Sequence, residues 1–464
     1  MINRRNFLQA SALVAGSTAS RTEANHAGGV EGLLDKGKAS SGLIDRRSLI
    51  NHERAYAVMA KHKIDGLIAL QAINVFYLSN HLGYKFRFGA ADPGFAVMPR
   101  KSSKSVQLVT SVVDQWHIAN AEREYPDIVP YTGPVNWLDY VGRSEKWQLP
   151  PKAGGGISWT KDEEQLSQTE QTWLSMDAKQ KDQYAPTAIW GLVEALRRSD
   201  LHNARLAVDD MRIASLLKMA GLENIQCIDG DNIFREIRMV KSEVEINFMR
   251  TAARVNQQAA HLTMKQITSG ATAADVEFLF RIEAAKLGAE MDFFSLGTYG
   301  GLRNGEIIKD EPLMIDAVCK VNGYCGDYGR TFVSGTPSLR VEKRVTQLDA
   351  ARQAVFEMLK PGVRYSEIQA VARKAMAGAG LPSDVIARVT PHSVGLSHTD
   401  EAMRYDLPFP VKDDLTLLSG MVITIDLPCY ELGWGSTHLE DITLITEDGA
   451  EILAEADSPL IVGN

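Results

Sequence analysis

Four segments of this chain hold carboxylates and imidazoles in patterns that suit metal chemistry. The first runs from Met314 to Thr331, where Asn322-Gly323 separates two β-prone runs and predicts a two-residue type I′ hairpin. That turn sets Val318 opposite Asp327 and Asp316 opposite Gly329. Because strand side chains alternate faces, Asp316 and Asp327 become diagonal neighbours on one face. Two carboxylates so close repel unless a divalent cation neutralises them. The second segment, Pro391 to Asp400, carries His392 and His398; the third, Gly420 to Pro428, carries Asp426; the fourth, Thr437 to Asp441, carries His438 and Glu440. Asp426 and Glu440 flank strand-like runs and are expected to end or line adjacent strands. Carboxylates on paired strands together with an imidazole make a hard, oxygen-rich site that suits two closely spaced Mn, Co or Zn ions bridged by hydroxide. Alone, a strand-end Asp is a turn cap and a single His a core or surface residue; the ordered set carries the reading.

The elements that must hold these residues are legible upstream and between them. Ser242-Glu243-Val244-Glu245 is an S-x-x-E capping box, followed by a helical stripe of Val244, Phe248, Ala252, Val255, Ala259 and Leu262. A partial repeat follows, since Gly270 and Gly362, Asp275 and Glu367, and Gly288 and Gly380 are each 92 residues apart. Two similar helical halves over an antiparallel sheet are the economical architecture. Before residue 237 the pattern is a helix over 46–61, apolar strand-like runs at 64–70, 74–79, 94–98 and 106–110, a polar interruption over 150–184, a helix over 186–199, and strands at 205–208 and 224–228 around a short helix. This predicts a mixed α/β domain over 45–237 and a second domain over 238–464.

Composition excludes several classes. At 464 residues, 45% hydrophobic and 23% charged with net charge −8, the chain is globular, and it lacks the basic stripe of a nucleic-acid binder. No run approaches the roughly 18–20 apolar residues of a membrane span. Four scattered cysteines make no disulfide framework, and the hairpin register puts Cys319 and Cys325 on opposite faces. Dinucleotide, P-loop, H-E-x-x-H and G-x-S-x-G motifs are absent, and Gly154-Gly155-Gly156 reads as a loop.

Gly323-Tyr324 through Asp327 to Arg330-Thr331, with Met421 to Pro428, resembles the phrases of the pita-bread metallopeptidases, the family of methionine aminopeptidase, aminopeptidase P, prolidase and creatinase. Arg238 to Ile246 is similar to the linker and first helix of these enzymes, and Asn74 to Ser79 to the N-terminal domain of the prolidase and creatinase branch. The resemblance implies a creatinase-like α/β domain followed by a pita-bread domain with pseudo-twofold helix pairs on a curved antiparallel sheet. It implies metal ligation by Asp316, Asp327, His392, Asp426 and Glu440, with Asp327 and Glu440 bridging two divalent ions, Mn first and Co, Zn or Fe as alternatives. Asp426 would also be the general base, and His398 the histidine that meets the scissile carbonyl. The implied activity is Xaa-Pro dipeptidase or aminopeptidase cleavage of small peptides, with metal-activated hydroxide attacking the peptide carbonyl, in a homodimer.

Three departures qualify that activity. The first Glu of the family is Asp426 here, His392 and His398 are six apart, and no histidine stands between His261 and His392, where segment 297–304 holds the place. His438, where aminopeptidase P-like members carry an arginine, is expected to compensate in catalysis. The runner-up is a family member acting on a small metabolite, as a dimethylsulfoniopropionate lyase or a creatinase-type C–N hydrolase; a non-catalytic binding module is the third. At the N-terminus, Arg4-Arg5-Asn6-Phe7-Leu8, a weakly apolar run and small residues resemble a twin-arginine export signal over 1–30, with a linker over 31–44, and imply a periplasmic protein.

Overall fold

The computed structural model describes residues 47–90, 93–119, 126–132, 165–180, 184–404 and 411–463. The export-signal and linker readings and the Gly154–Gly156 run lie outside these residues, as does most of the polar 150–184 segment, of which Gln168–Gln180 is helical.

Two sheets organise the described chain. The first contains β1 (Gly66–Ala69), β2 (Phe95–Pro99), β3 (Gln107–Ser111), β4 (Asp127–Tyr131), β5 (Arg205–Val208) and β6 (Gln226–Asp229) in the order β4-β3-β2-β1-β5-β6. It is mixed, with β2 antiparallel to both neighbours and the other pairs parallel. Both faces are covered, because alternate residues enter different cores. Leu67, Ala96 and Met98 pack with the helices His52–Lys61 and Asp231–Arg238, whereas Ile68, Val97 and Val109 pack with the helix Ala188–Arg198.

The run 74–79, expected as a strand, is instead part of the helix Ala72–Ser79. Its surroundings decide this. Asp209 accepts the backbone N–H groups of Leu70 and Gln71 at 2.8 and 3.0 Å and the Asn74 side chain at 2.9 Å, so the chain turns at Gln71 and winds.

The second sheet comprises β7 (Glu290–Leu296), β8 (Pro312–Val321), β9 (Tyr324–Ser334), β10 (Thr390–Ser393), β13 (Val422–Asp426) and β16 (Glu440–Ile445), ordered β10-β13-β16-β9-β8-β7. Two small pairs stand outside it, β11 (Met403–Arg404) with β12 (Val411–Lys412) and β14 (Cys429–Glu431) with β15 (Gly435–Thr437). β17 (Ala450–Ile452) joins β16 antiparallel, while β18 (Leu460–Gly463) joins β9 in parallel, the one departure from the antiparallel sheet expected. One apolar core takes Leu67 of the first sheet together with Val318 and Tyr324 of the second.

The repeat is real in three dimensions. The helix pairs Glu243–Met264 with Ala273–Lys286 and Leu339–Met358 with Tyr365–Gly378 begin their second helices alike: Asp275 and Glu367 each reach back 2.8 Å to accept the N–H three residues earlier, of Thr272 and Arg364. The turns between helices are clamped alike as well. Gly270 N–H donates to Ile307 and Ile307 N–H to Ala271; Gly362 N–H donates to Leu417 and Leu417 N–H to Val363, all at 2.8–2.9 Å.

The helix Glu243–Met264, opened by the Ser242–Glu245 capping box, seats the β8–β9 hairpin. Asn256 donates to the Ala317 carbonyl at 2.6 Å, and the helix lies so near β9 that a Cβ on Gly326 would stand 2.4 Å from the Ala252 carbonyl oxygen. The turn itself has φ of 49° at Asn322 and 85° at Gly323, the left-handed pair a type I′ turn requires.

Candidate metal centre

Five neighbouring strands each supply one acidic or imidazole group. In sheet order they are His392 on β10, Asp426 at the end of β13, Glu440 at the start of β16, Asp327 on β9 and Asp316 on β8. The register accounts for their convergence. Asp316 and Glu440 both pair with Gly329, from opposite sides of β9, and Val318 pairs with Asp327 as the turn predicts. Thr390 pairs with Asp426 and His392 with Thr424, bringing β10 into the same row. His398 arrives on the loop after β10 and His438 on the link from β15 to β16.

Potential donor atoms fall into three groups, each within 4.8 Å: Asp327, His392 and His398; Asp316, Asp327 and Glu440; and Asp426, His438 and Glu440. Asp327 is common to the first two and Glu440 to the last two. The site residues expected from sequence are thus all brought together. His398 Nε2 is 3.2 Å from Asp327 Oδ2, and His392 Nε2 is 3.9 Å from both Asp327 Oδ2 and Glu440 Oε1. At the other end His438 Nε2 is 2.6 Å from Asp426 Oδ1 and 3.6 Å from Glu440 Oε2.

The donors fit a divalent cation better than they fit one another. Asp316 Oδ1, Asp327 Oδ1 and His392 Nδ1 are buried without a hydrogen-bond partner. Such orphans are costly unless something else satisfies them. Burial, then the charge of Asp327, pushes Asp316 up to about 7, and burial with the same neighbour holds Glu440 far above the usual carboxylate range. Asp316 and Glu440 are thus drawn toward their uncharged forms, a cost that a divalent cation among them would relieve. Burial lowers His392, whereas for His398 the hydrogen bond and charge of Asp327 outweigh burial and raise it.

Sequence reasoning did not find the supports. Thr424 Oγ1 donates to Glu440 Oε1 at 2.9 Å. The signal available was its place two before Asp426, hence on the same strand face. Behind the His398 loop, buried Arg238 grips Asp400 at 2.7 Å. Segment 297–304, which stands where an upstream histidine is missing, presents Tyr299 in a stack on Tyr430, with centroids 4.4 Å apart. The charges of Asp426 and Asp316 add to burial in raising Tyr430, so that ring borders the carboxylates. His398 is edge-on to Phe293 at 5.0 Å and keeps 30% of its side chain exposed, the open rim of the cluster.

Residues 247–447 match the model of metallopeptidase family M24. That segment, with the donors from Asp316 to Glu440 within it, is similar to this family. It is 29% identical over 269 residues to a probable dipeptidase PepE of Mycobacterium tuberculosis, covering 56% of this chain and 70% of that protein. To an Xaa-Pro dipeptidase of Pyrococcus horikoshii it is 29% identical over 262 residues, covering 54% and 71%. Among solved structures, an Xaa-Pro dipeptidase from Bacillus anthracis superposes with a TM-score of 0.62 at 18% identity, over 89% of this chain and 98% of that one. The prolidase from Pyrococcus horikoshii gives 0.58 at 20% identity, over 88% and 99%. These structural likenesses show the pita-bread fold, here that of a metallohydrolase family.

Proposed function

We propose that this M24 chain hydrolyses small Xaa-Pro peptides with two divalent ions, manganese first among them, held by Asp316, Asp327, His392, Asp426 and Glu440. The observation that carries the reading is the chain of three donor groups linked through Asp327 and Glu440, the arrangement two adjacent ions require. When bound, the ions supply a strong nucleophile at neutral pH and polarise the scissile carbonyl. The protein does the rest. Asp426, at the rim and 2.6 Å from His438, takes the proton as general base; exposed enough to meet a substrate, His398 donates toward the carbonyl oxygen. Thr424 and the β16 backbone keep Glu440 in place. The dipeptidase names of the two relatives support a peptide substrate.

The twin-arginine-like N-terminus supports export to the periplasm, and we place the enzyme there as a homodimer. A second reading, chemistry on a small non-peptide metabolite, draws on one observation: Tyr299, from the segment that lacks the upstream histidine, stacks on Tyr430, whose ring borders Asp426 and Asp316.

The test is cleavage of a panel of Xaa-Pro dipeptides and tripeptides by the full chain loaded with Mn, beside Asp327→Ala. Turnover that falls at least ~10³-fold in the variant supports the peptidase reading. Two bound ions without turnover on any peptide sinks it and favours the second.

A further inference from the structure

We propose that His438 is itself a metal ligand, binding the second ion through Nε2 beside Asp426 and Glu440. The proposal rests on the two-ion reading above and adds a nitrogen donor at the position where the carboxylate is one methylene shorter than the family's Glu.

Three contacts fix the ring for this task. The backbone of His438 is clamped by one hydroxyl: Thr331 Oγ1 accepts its N–H at 3.0 Å and donates to its carbonyl at 3.1 Å. Nδ1 lies 2.9 Å from the Ile315 carbonyl oxygen, which only accepts, so the proton is on Nδ1. Nε2 is therefore the atom turned to the carboxylates, as in metal sites where a backbone carbonyl sets the tautomer of a ligating histidine. Finally, the ring fills the slot left by Gly329, between Asp316 and Glu440. A Cβ there would stand 2.2 Å from His438 Cε1.

The ring is 1% exposed, with no route to substrate of its own. A purely positioning role would need contact with Asp426 alone, yet Nε2 also lies 3.6 Å from Glu440 Oε2, completing a three-donor set. An ion at this position would be held by Asp426, Glu440 and the Nε2 lone pair together. The consequence is chemical. With imidazole at both positions instead of one, the pair shifts from Mn toward Co and Zn, which imidazole favours.

The test compares wild type, His438→Ala and His438→Asn, all full-length, by titration with Mn, Zn and Co, with metal content after gel filtration and the visible spectrum of the Co form as readouts. The Asn variant keeps an amide able to donate to Asp426 but brings no imidazole lone pair, and it fills more of the slot should the Ala variant fold poorly. Expected is about two ions in wild type, with the second weakened at least ~10-fold in both variants, a changed Co spectrum and a smaller preference for Zn over Mn. Two ions in wild type with unchanged affinities and Co spectrum in both variants overturns the role of His438 alone. Restoration of normal affinity in the Asn variant assigns His438 to positioning and overturns it too. Fewer than two ions in wild type overturns the two-ion reading and this inference with it.

Discussion

Two buried clusters of charge lie on either side of the loop that carries His398, and they are built in opposite ways. Behind the loop, Arg238 pairs with Asp400 through Nε and Nη2 and also binds Asn74, while Lys241 donates to the Arg238 carbonyl at 2.6 Å. Glu245 accepts from the Ser242 N–H at 2.8 Å and from the Tyr324 hydroxyl at 3.2 Å. Acids and bases there alternate and satisfy one another. In front, four carboxylates face three imidazoles, and buried oxygens of Asp316 and Asp327 have no partner. Burial is common to both; satisfaction is what separates a structural network from a site built for something absent from the chain.

The largest effect that would sharpen this contrast is on stability. Asp400→Asn leaves Arg238 buried and unneutralised and should cost about 3–5 kcal/mol. Asp327→Asn, measured without metal, should be neutral or stabilising, because it relieves repulsion. Denaturant melts of both variants check the pair, and an equal loss in each would erase the distinction between the clusters.

The next effect is on pH dependence. Asp316 is raised from 3.8 to about 7, so the folded state holds a proton the unfolded chain releases, and metal-free stability falls as pH rises through that interval, on the order of 1 kcal/mol per pH unit. Glu245, pushed to about 7 by burial, and Asp209, raised to about 6 by burial, act in the same direction. Metal distinguishes them. Saturating Mn should remove the part due to the site and leave the part due to Glu245 and Asp209, as thermal melts at pH 5 to 8 with and without Mn would show. A pH slope indifferent to Mn would mean that the carboxylates of the front cluster do not exchange protons for an ion.

The same division explains what could be read from the residues. The Asn322-Gly323 turn sets the phase of two strands at once, so the faces of Asp316 and Asp327 follow from local sequence, and the register obeys it residue for residue. The 92-residue repeat was legible because each half spends its acidic residue on the same local cap. By contrast, an apolar run as short as 74–79 suits helix or strand equally, and Asp209, 135 residues from Asn74, settles the matter. The contact of His438 with Ile315 spans 123 residues and that of Arg238 with Asp400 spans 162, and neither leaves a periodic trace. Donors were found because their types are chemically unusual in strands; their supports are ordinary threonines, glycines and carbonyls made special only by pairing.

Thr424 tests that last point with the smallest change. Its hydroxyl donates from a neighbouring strand to the Glu440 carboxylate, and it lowers the proton affinity that burial and the other carboxylates raise. Thr424→Val keeps the branched shape that β13 packs around and deletes the donor. The expected cost is about 1 kcal/mol, or a factor of roughly five in affinity for the ion that Glu440 shares, with little change in the melting of the metal-free protein, where burial and the neighbouring carboxylates favour the uncharged Glu440. Titration of the variant with Mn beside wild type reads this directly. If the metal-free protein loses stability while Mn affinity holds, Thr424 belongs with the satisfied network behind the loop, and the boundary between the two clusters must be redrawn through β13.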